Sequence, residues 1–461
     1  MKFGGTSVAN AEAIARVAAI IQEQTMAGHC NVVVVSAMGG VTDALTRGVL
    51  AAAAGDDSVY CEVANGILSR TREAAESLIH AHDDRAVVLV NAKKIIDGYT
   101  AVCESVHVLA EATPRVLDRA TSCGEPLVAL LLAAHLRGLG VSAQSVKPEL
   151  VIATDDTFQD AAPLTAETRA QCRDRVIPLI SEGVIPVIGG FIGATTEGVP
   201  TTLGRGGSDF SAAILGQALD ADDVWIWTDV DGVLTADPRL VPNARVIPVL
   251  SYGEVGELAY FGAAVLHPRT IRPLVDEGIP LWIKNTFHPE VEGTRIDAEV
   301  SPVAGTVKAV TDVRGLSMVT VEGRGMLGVP GIAARTFEAV ARCKANVLMI
   351  SQASSEQSIC FVIPSDDVPC VTGELDEEFA LELARREIDC VGTLADVCVV
   401  TALGAGMRGI SGVAGRLFMA LDRHEVNIIA IAQGSSECSV SIVVTERDVE
   451  DAVLAIHEEV I

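Results

Sequence analysis

Of the 461 residues, 49% are apolar, only 4% are aromatic, and the formal charge is −27. A chain this acidic offers no surface for nucleic acid or anionic lipid, and its longest apolar runs are too short to cross a membrane. The length suits two to four domains, and a core built from Val, Ile, Leu and Ala suits an α/β protein with buried parallel strands.

The sequence opens with no basic-then-apolar leader, so a cytoplasmic protein is expected. Its eleven cysteines form no C-x-x-C, and reduced, mostly buried thiols are expected of them. The nine histidines include no H-E-x-x-H; His80 and His82 read as a surface pair, and no protein-held metal is predicted. Only seven residues are lysine, so a lysine inside a glycine motif is informative.

The first 300 residues alternate apolar strand candidates with helical patterns: NVVVVSAM (31–38), AVVLV (86–90), GVIPVIGGFIG (183–193), DVWIWTDV (223–230) and IPLWIK (279–284). Such alternation implies a parallel or mixed sheet with helices on both faces, and ligands at the carboxyl ends of the strands. Four glycine clusters fall in that setting: KFGGTS (2–7), SAMGGVTD (36–43), TTLGRGGSD (201–209) and TDVDGVLTADPR (228–239). Exposed backbone N–H groups, hydroxyls and a cation are what a polyphosphate requires. None of the four is a Walker loop, and the protein-kinase motifs are absent.

The last third contains a repeat. Residues 316–363 align without a gap on 397–444, at an offset of 81. Gly325 meets Gly406, Gly328 meets Gly409, Asn346 meets Asn427, and Gln352 meets Gln433. Gly404, Gly406 and Gly409 spell G-x-G-x-x-G, as do Gly323, Gly325 and Gly328. A dinucleotide fold wants an acidic residue about 20 positions on, at the end of the second strand. Gln352 and Gln433 stand there, and each βαββ(α) unit is too small for a doubly wound domain, so an NAD-dependent dehydrogenase is disfavoured.

The duplicated unit, with G-x-x-G-x-x-x-R-x-F and N-(I/V)…Q-x-S-S-E, resembles a tandem pair of ACT domains. KFGGTS, SAMGGVTD, SCGEPL (122–127), TLGRGGSD, TDVDGVLTADPR, FGAAVLHPRT (261–270) and IKNTF (283–287), in this order, resemble the aspartate kinases of the amino acid kinase family. The resemblance implies a three-layer α/β/α kinase domain with a mainly parallel sheet over 1–300. Two ferredoxin-like βαββαβ ACT domains over 301–390 and 391–461 follow from it. It also implies ATP-dependent phosphorylation of the L-aspartate side chain, the first step toward lysine, threonine and methionine. A carboxylate nucleophile is already ionised at neutral pH, so no general base is required.

By the same resemblance Lys2 contacts the phosphates and Asp209 orients it. Glu125 takes the substrate ammonium and Arg205 a carboxylate, with Ser36, Thr42 and Ser208 as hydroxyl partners. Gly4, Gly5, Thr228, Asp229, Arg239 and Lys284 join Lys2 at ATP, with Mg²⁺ riding on the phosphates. Asp231 reads either as a nucleotide contact or as a turn with Gly232. Three departures stand out: Leu234 replaces a common tyrosine, Ala264 replaces a common lysine, and only Met1 precedes Lys2. The last suggests a misassigned start or a truncation. The ACT pair implies feedback by lysine or threonine and a homodimer or homotetramer. Met326, Gly331, Ile332, Asn346, Gln352 and Ser354, with Asn427 and Gln433, are the expected effector contacts. The alternative is a catalytically weak amino-acid sensor that keeps the ACT pair.

Overall fold

The computed structural model describes residues 1–262, 266, 268–298, 300, 303, 305–326, 329–352, 357–434 and 436–461. The chain divides into two compact units: 1–233 with 248–252 and 265–299, and 234–247 with 253–264 and 300–461. Among the described residues no helix is long and apolar enough to cross a membrane.

The first unit contains β1 (Lys2–Phe3), β2 (Val33–Val35), β3 (Ala143–Val146), β4 (Ala153–Thr154), β5 (Ile185–Gly189), β6 (Ile192–Thr195), β7 (Pro200–Thr202), β8 (Val224–Thr228), β9 (Val249–Ser251), β10 (Leu281–Asn285) and β11 (Thr294–Asp297). Eight of them form one sheet in the order β3-β5-β2-β1-β8-β10-β11-β9, and β4-β6-β7 form a small second sheet. From β3 to β10 every pairing is parallel. Only β11 runs antiparallel to β10. Buried aliphatic runs such as Val33–Val35 and Ile185–Gly189 explain the central positions, since both faces of a parallel sheet are covered.

Four of the five strand candidates are strands, but AVVLV lies inside the helix His82–Leu109. A five-residue apolar run is periodically ambiguous. Here Val88 packs inward while Val87 and Val90 face solvent, as in a helix with one buried stripe.

The second unit contains β12 (Ala309–Glu322), β13 (Met349–Gln352), β14 (Ser358–Pro364), β15 (Cys390–Leu403), β16 (Ala430–Gln433) and β17 (Ser439–Thr445). They form an antiparallel sheet in the order β13-β14-β12-β15-β17-β16. The offset of 81 persists in three dimensions: helix Ile332–Arg342 corresponds to Val413–Arg423, β13 to β16, and β14 to β17. The two long strands are each used twice. Leu316–Glu322 pair with the first half of β15, and Ala309–Val313 pair with Val399–Leu403 in its second half.

The paired glycines have a packing function. In the first copy Gly325 N–H donates to Glu387 O, and Asp389 N–H to Glu322 O. In the second, Gly305 N–H donates to Gly406 O, and Lys308 N–H to Leu403 O. A Cβ on Gly325 would lie 2.5 Å from Glu387 Cα, and one on Gly406 2.5 Å from Thr306 Oγ1. Each G-x-G therefore admits the segment that leads into a long strand rather than a pyrophosphate.

The expectation of reduced, mostly buried cysteines is corrected. Cys343 and Cys370 form a disulfide between two helix ends of the first copy. Of the remaining nine, only Cys103, Cys172 and Cys398 are buried. Sequence spacing does not report which helix ends meet.

Candidate active site

A cavity of about 390 Å³ opens at the carboxyl ends of β1, β2 and β5. It gathers three glycine clusters that lie far apart in the chain. Lys2 and Gly5 come from the first, Ser36, Gly39, Gly40 and Thr42 from the second, and Gly204, Gly206, Ser208 and Asp209 from the third. Glu125 completes the lining from SCGEPL. Three helices begin here, at Val41, Gly124 and Gly207, and none carries a side-chain N-cap. Their first-turn N–H groups and positive dipole ends suit an anion.

Lys2 is only 7% exposed, and its Nζ lies 2.5 Å from Asp209 Oδ1. Strand β1 fixes the lysine between β2 and β8, while the start of helix Gly207–Ala218 fixes the aspartate. Glu125 is 3% exposed, and its Oε2 has no hydrogen-bond partner among the described residues. Burial pushes its pKa up to about 8, against backbone N–H bonds that favour ionisation. A buried carboxylate with a vacant oxygen is completed by a cationic ligand group.

Arg205 stands on the glycine loop between the lining residues Gly204 and Gly206, but its side chain is exposed and is not in the cavity wall. Of the expected nucleotide contacts, Lys2 and Gly5 line the cavity. Gly4 N–H donates to Trp227 O beside the carboxyl end of β8, where Thr228 donates to Asp229 Oδ1 at 3.2 Å. Lys284 projects from β10 over the rings of Trp225, Trp227 and Trp282, the protein's three tryptophans. Its Nζ donates to Glu292 O at 2.8 Å, and burial lowers its pKa. Arg239 lies in the second compact unit, paired with Asp237. Leu234 is half-buried in that unit, and Ala264 lies outside the described residues.

Asp231 joins two loops, accepting from Asn285 Nδ2 at 2.6 Å and sitting 3.0 Å from His288 Nδ1. Those bonds hold its carboxyl below the usual range, so a cross-loop brace describes it better than a local turn.

Of the effector set, the Met326 and Ile332 side chains fill the core of the first copy. Gly331 caps the following helix at φ 97°. Asn346, Gln352, Asn427 and Gln433 are exposed, the glutamines at equivalent ends of β13 and β16. Ser354 lies outside the described residues.

Several contributors escaped the sequence reading. Asp43 lines the cavity, and Arg70 donates to both Gly39 O and Ala9 O at 3.3 Å, bridging two glycine loops. Buried Asp118 accepts from Thr202 N at 3.0 Å and Thr202 Oγ1 at 2.7 Å, anchoring the strand before the third loop. Ser7 and Thr286, both fully buried, share a 2.7 Å hydroxyl bond. Only their types, not their partners, are visible in a linear sequence.

Comparison with known proteins bears on this geometry. The model of the amino acid kinase family matches residues 1–285, and that of the ACT domain matches 319–379 and 400–460. The chain is 37% identical over 464 residues to a chloroplastic bifunctional aspartokinase/homoserine dehydrogenase 1 of Arabidopsis thaliana, covering 99% of this chain and 50% of that protein. It thus spans about half the length of that relative. It is 31% identical to the chloroplastic aspartokinase 1 of Arabidopsis thaliana, covering 99% of this chain and 79% of the relative. Among solved structures it is similar to E. coli aspartokinase III. The complex with lysine and aspartate gives 30% identity and a TM-score of 0.79, over 100% of this chain and 98% of the other. The complex with aspartate and ADP gives 30% identity and 0.77, over 99% and 98%.

Proposed function

Because the chain belongs to the amino acid kinase family and matches an aspartokinase over most of that relative's length, we propose that it transfers the γ-phosphoryl group of ATP to the side-chain carboxylate of L-aspartate. The products are 4-phospho-L-aspartate and ADP. The observation that carries this reading is Glu125: a buried carboxylate with a vacant oxygen, in a cavity also lined by Lys2 and by the starts of the helices at Val41 and Gly207. A cation site facing an anion site fits an amino acid with an acidic side chain. The related E. coli enzyme, solved with aspartate and with ADP, supports the same pair of ligands.

The substrate ammonium docks at Glu125, and Ser36, Thr42 and Ser208 hydrogen-bond the carboxylates, with Arg205 at the loop. The attacking carboxylate needs no proton removed, so rate enhancement comes from alignment and from charge neutralisation. Lys2, held by Asp209, supplies a fixed cation to the transferring group. The cavity's hard oxygen donors suited to Mg²⁺ are Asp43 and Asp209. Magnesium supplies charge neutralisation on the nucleotide. Gly4, Gly5, Thr228, Asp229 and Lys284 are the proposed nucleotide side.

The product places the enzyme at the entry to lysine, threonine and methionine synthesis, and the duplicated ACT unit supports feedback by lysine or threonine on a homodimer or homotetramer. ADP release tests the reading: full activity with aspartate, little with glutamate, and a loss on the order of 10²–10³ in kcat for Lys2→Ala. Equal rates for Lys2→Ala and the natural chain would refute the role of the lysine.

A further inference from the structure

At the end of β5 the chain reads Gly189-Gly190-Phe191, and each glycine presses on a different member of the cavity. A Cβ on Gly189 would lie 2.9 Å from Glu125 Cβ and 3.3 Å from Glu125 C. A Cβ on Gly190 would lie 2.8 Å from Ser208 Cβ and 2.9 Å from Ser208 Cα. Neither glycine has the positive φ that would itself demand glycine; their requirement is space. Phe191, which lines the cavity, does adopt a left-handed φ of 68°. Its N–H is held by Ser211 Oγ at 2.9 Å and its carbonyl by Leu203 N–H at 2.9 Å. A non-glycine residue at such φ persists only where its surroundings fix it. The turn is thus pinned to β2 through Gly190 N–H and Val35 O, and to the helix that carries Ser208 and Asp209.

We propose that Gly189 and Gly190 are separate positioning residues for the two halves of the reaction, a proposal that rests on the aspartate reading above. Gly189 lets the helix Gly124–Gly138 approach so that Glu125 Oε2 faces the substrate ammonium. Gly190 lets the helix Gly207–Ala218 approach so that Ser208 meets the attacking carboxylate and, one residue on, Asp209 with its Lys2 partner meets the transferring group. Displacing Glu125 weakens binding of the amino acid in ground and transition states alike, which appears in KM. Displacing Asp209 and Lys2 removes an interaction made chiefly in the transition state, which appears in kcat.

Gly193 provides the control. Its Cβ would lie 2.7 Å from Thr154 Cγ2 and 3.1 Å from Ile152 O, an equal intrusion that meets no residue of the cavity wall. The experiment compares Gly189→Ala, Gly190→Ala and Gly193→Ala in the full chain. It measures KM for aspartate, KM for ATP and kcat, with the folded fraction from circular dichroism used to normalise kcat. For Gly189→Ala the expected result is a rise of about tenfold or more in KM for aspartate with kcat changed less than about threefold. For Gly190→Ala it is a fall of about tenfold or more in kcat, with KM for aspartate moved less. Gly193→Ala lowers the melting temperature without either signature. Natural chain that yields no aspartyl phosphate defeats the aspartate reading. Active natural chain whose variants share one pattern, match the Gly193→Ala control, or fail to fold defeats the positioning roles.

Discussion

Glu125 concentrates the physics of the cavity in one side chain. Its pKa near 8 arises from burial, so without ligand the protonated form is favoured in the folded state. Relative to an unfolded glutamate with a pKa of 4.5, its contribution to stability is full below that value and lost as pH rises through about 8. Binding of an ammonium needs the ionised form. The kcat/KM for aspartate should therefore rise with pH, by about tenfold per unit, until it levels near the Glu125 pKa. Glu125→Gln should remove that limb while raising KM. A profile flat from pH 6 to 9 in the natural chain would exclude Glu125 as the ammonium partner. Glu125 was legible as a site residue only through its motif. Its burial and vacant oxygen, which give it chemical force, depend on β2 and β5 closing around it.

At the scale of elements, the strongest sequence signal was the 81-residue repeat, because a duplicated pattern must fold twice. Helices, strands and turns recur at that offset. Its glycines were legible as glycines, while their partners Glu387 and Thr306 were not, since those lie in the segments leading into β15 and β12, outside the aligned 316–363 and 397–444. Gly325→Ala should cost about 1–3 kcal/mol by overpacking against Glu387, read as a lower urea midpoint with effector response weakened. An unchanged midpoint would mean the segment yields freely. The helix Tyr252–Tyr260 carries a second expectation. Glu254, 1% exposed, pairs with Lys308 at 2.9 Å and accepts from Ala405 N–H at 2.8 Å. Glu254→Ala removes one partner of a largely buried ion pair and should cost about 3–5 kcal/mol in thermal unfolding. A change below about 1 kcal/mol would show the pair to be solvated. The resemblance placed residues 252–261 within the kinase domain expected over 1–300; Glu254, Glu257 and Phe261 pack with residues of the repeats.

For the whole molecule, the glycine clusters at residues 2–7 and 36–43 converge because the adjacent parallel strands β1 and β2 deliver their carboxyl ends to one rim, and the cluster at 201–209 reaches the same rim from β7 of the small sheet. The meeting of the first two was readable from the alternation of strands and helices, while the small sheet that delivers the third was not. The assignment of Arg239 to the other compact unit was not readable, because TDVDGVLTADPR crosses the boundary between the units near residue 234. The central claim is that this rim phosphorylates a side-chain carboxylate, and the acyl phosphate can be intercepted directly. Full-length protein with ATP, magnesium, aspartate and hydroxylamine should yield aspartyl hydroxamate, with glutamate giving little. Absence of aspartyl hydroxamate from folded full-length protein would contradict the account.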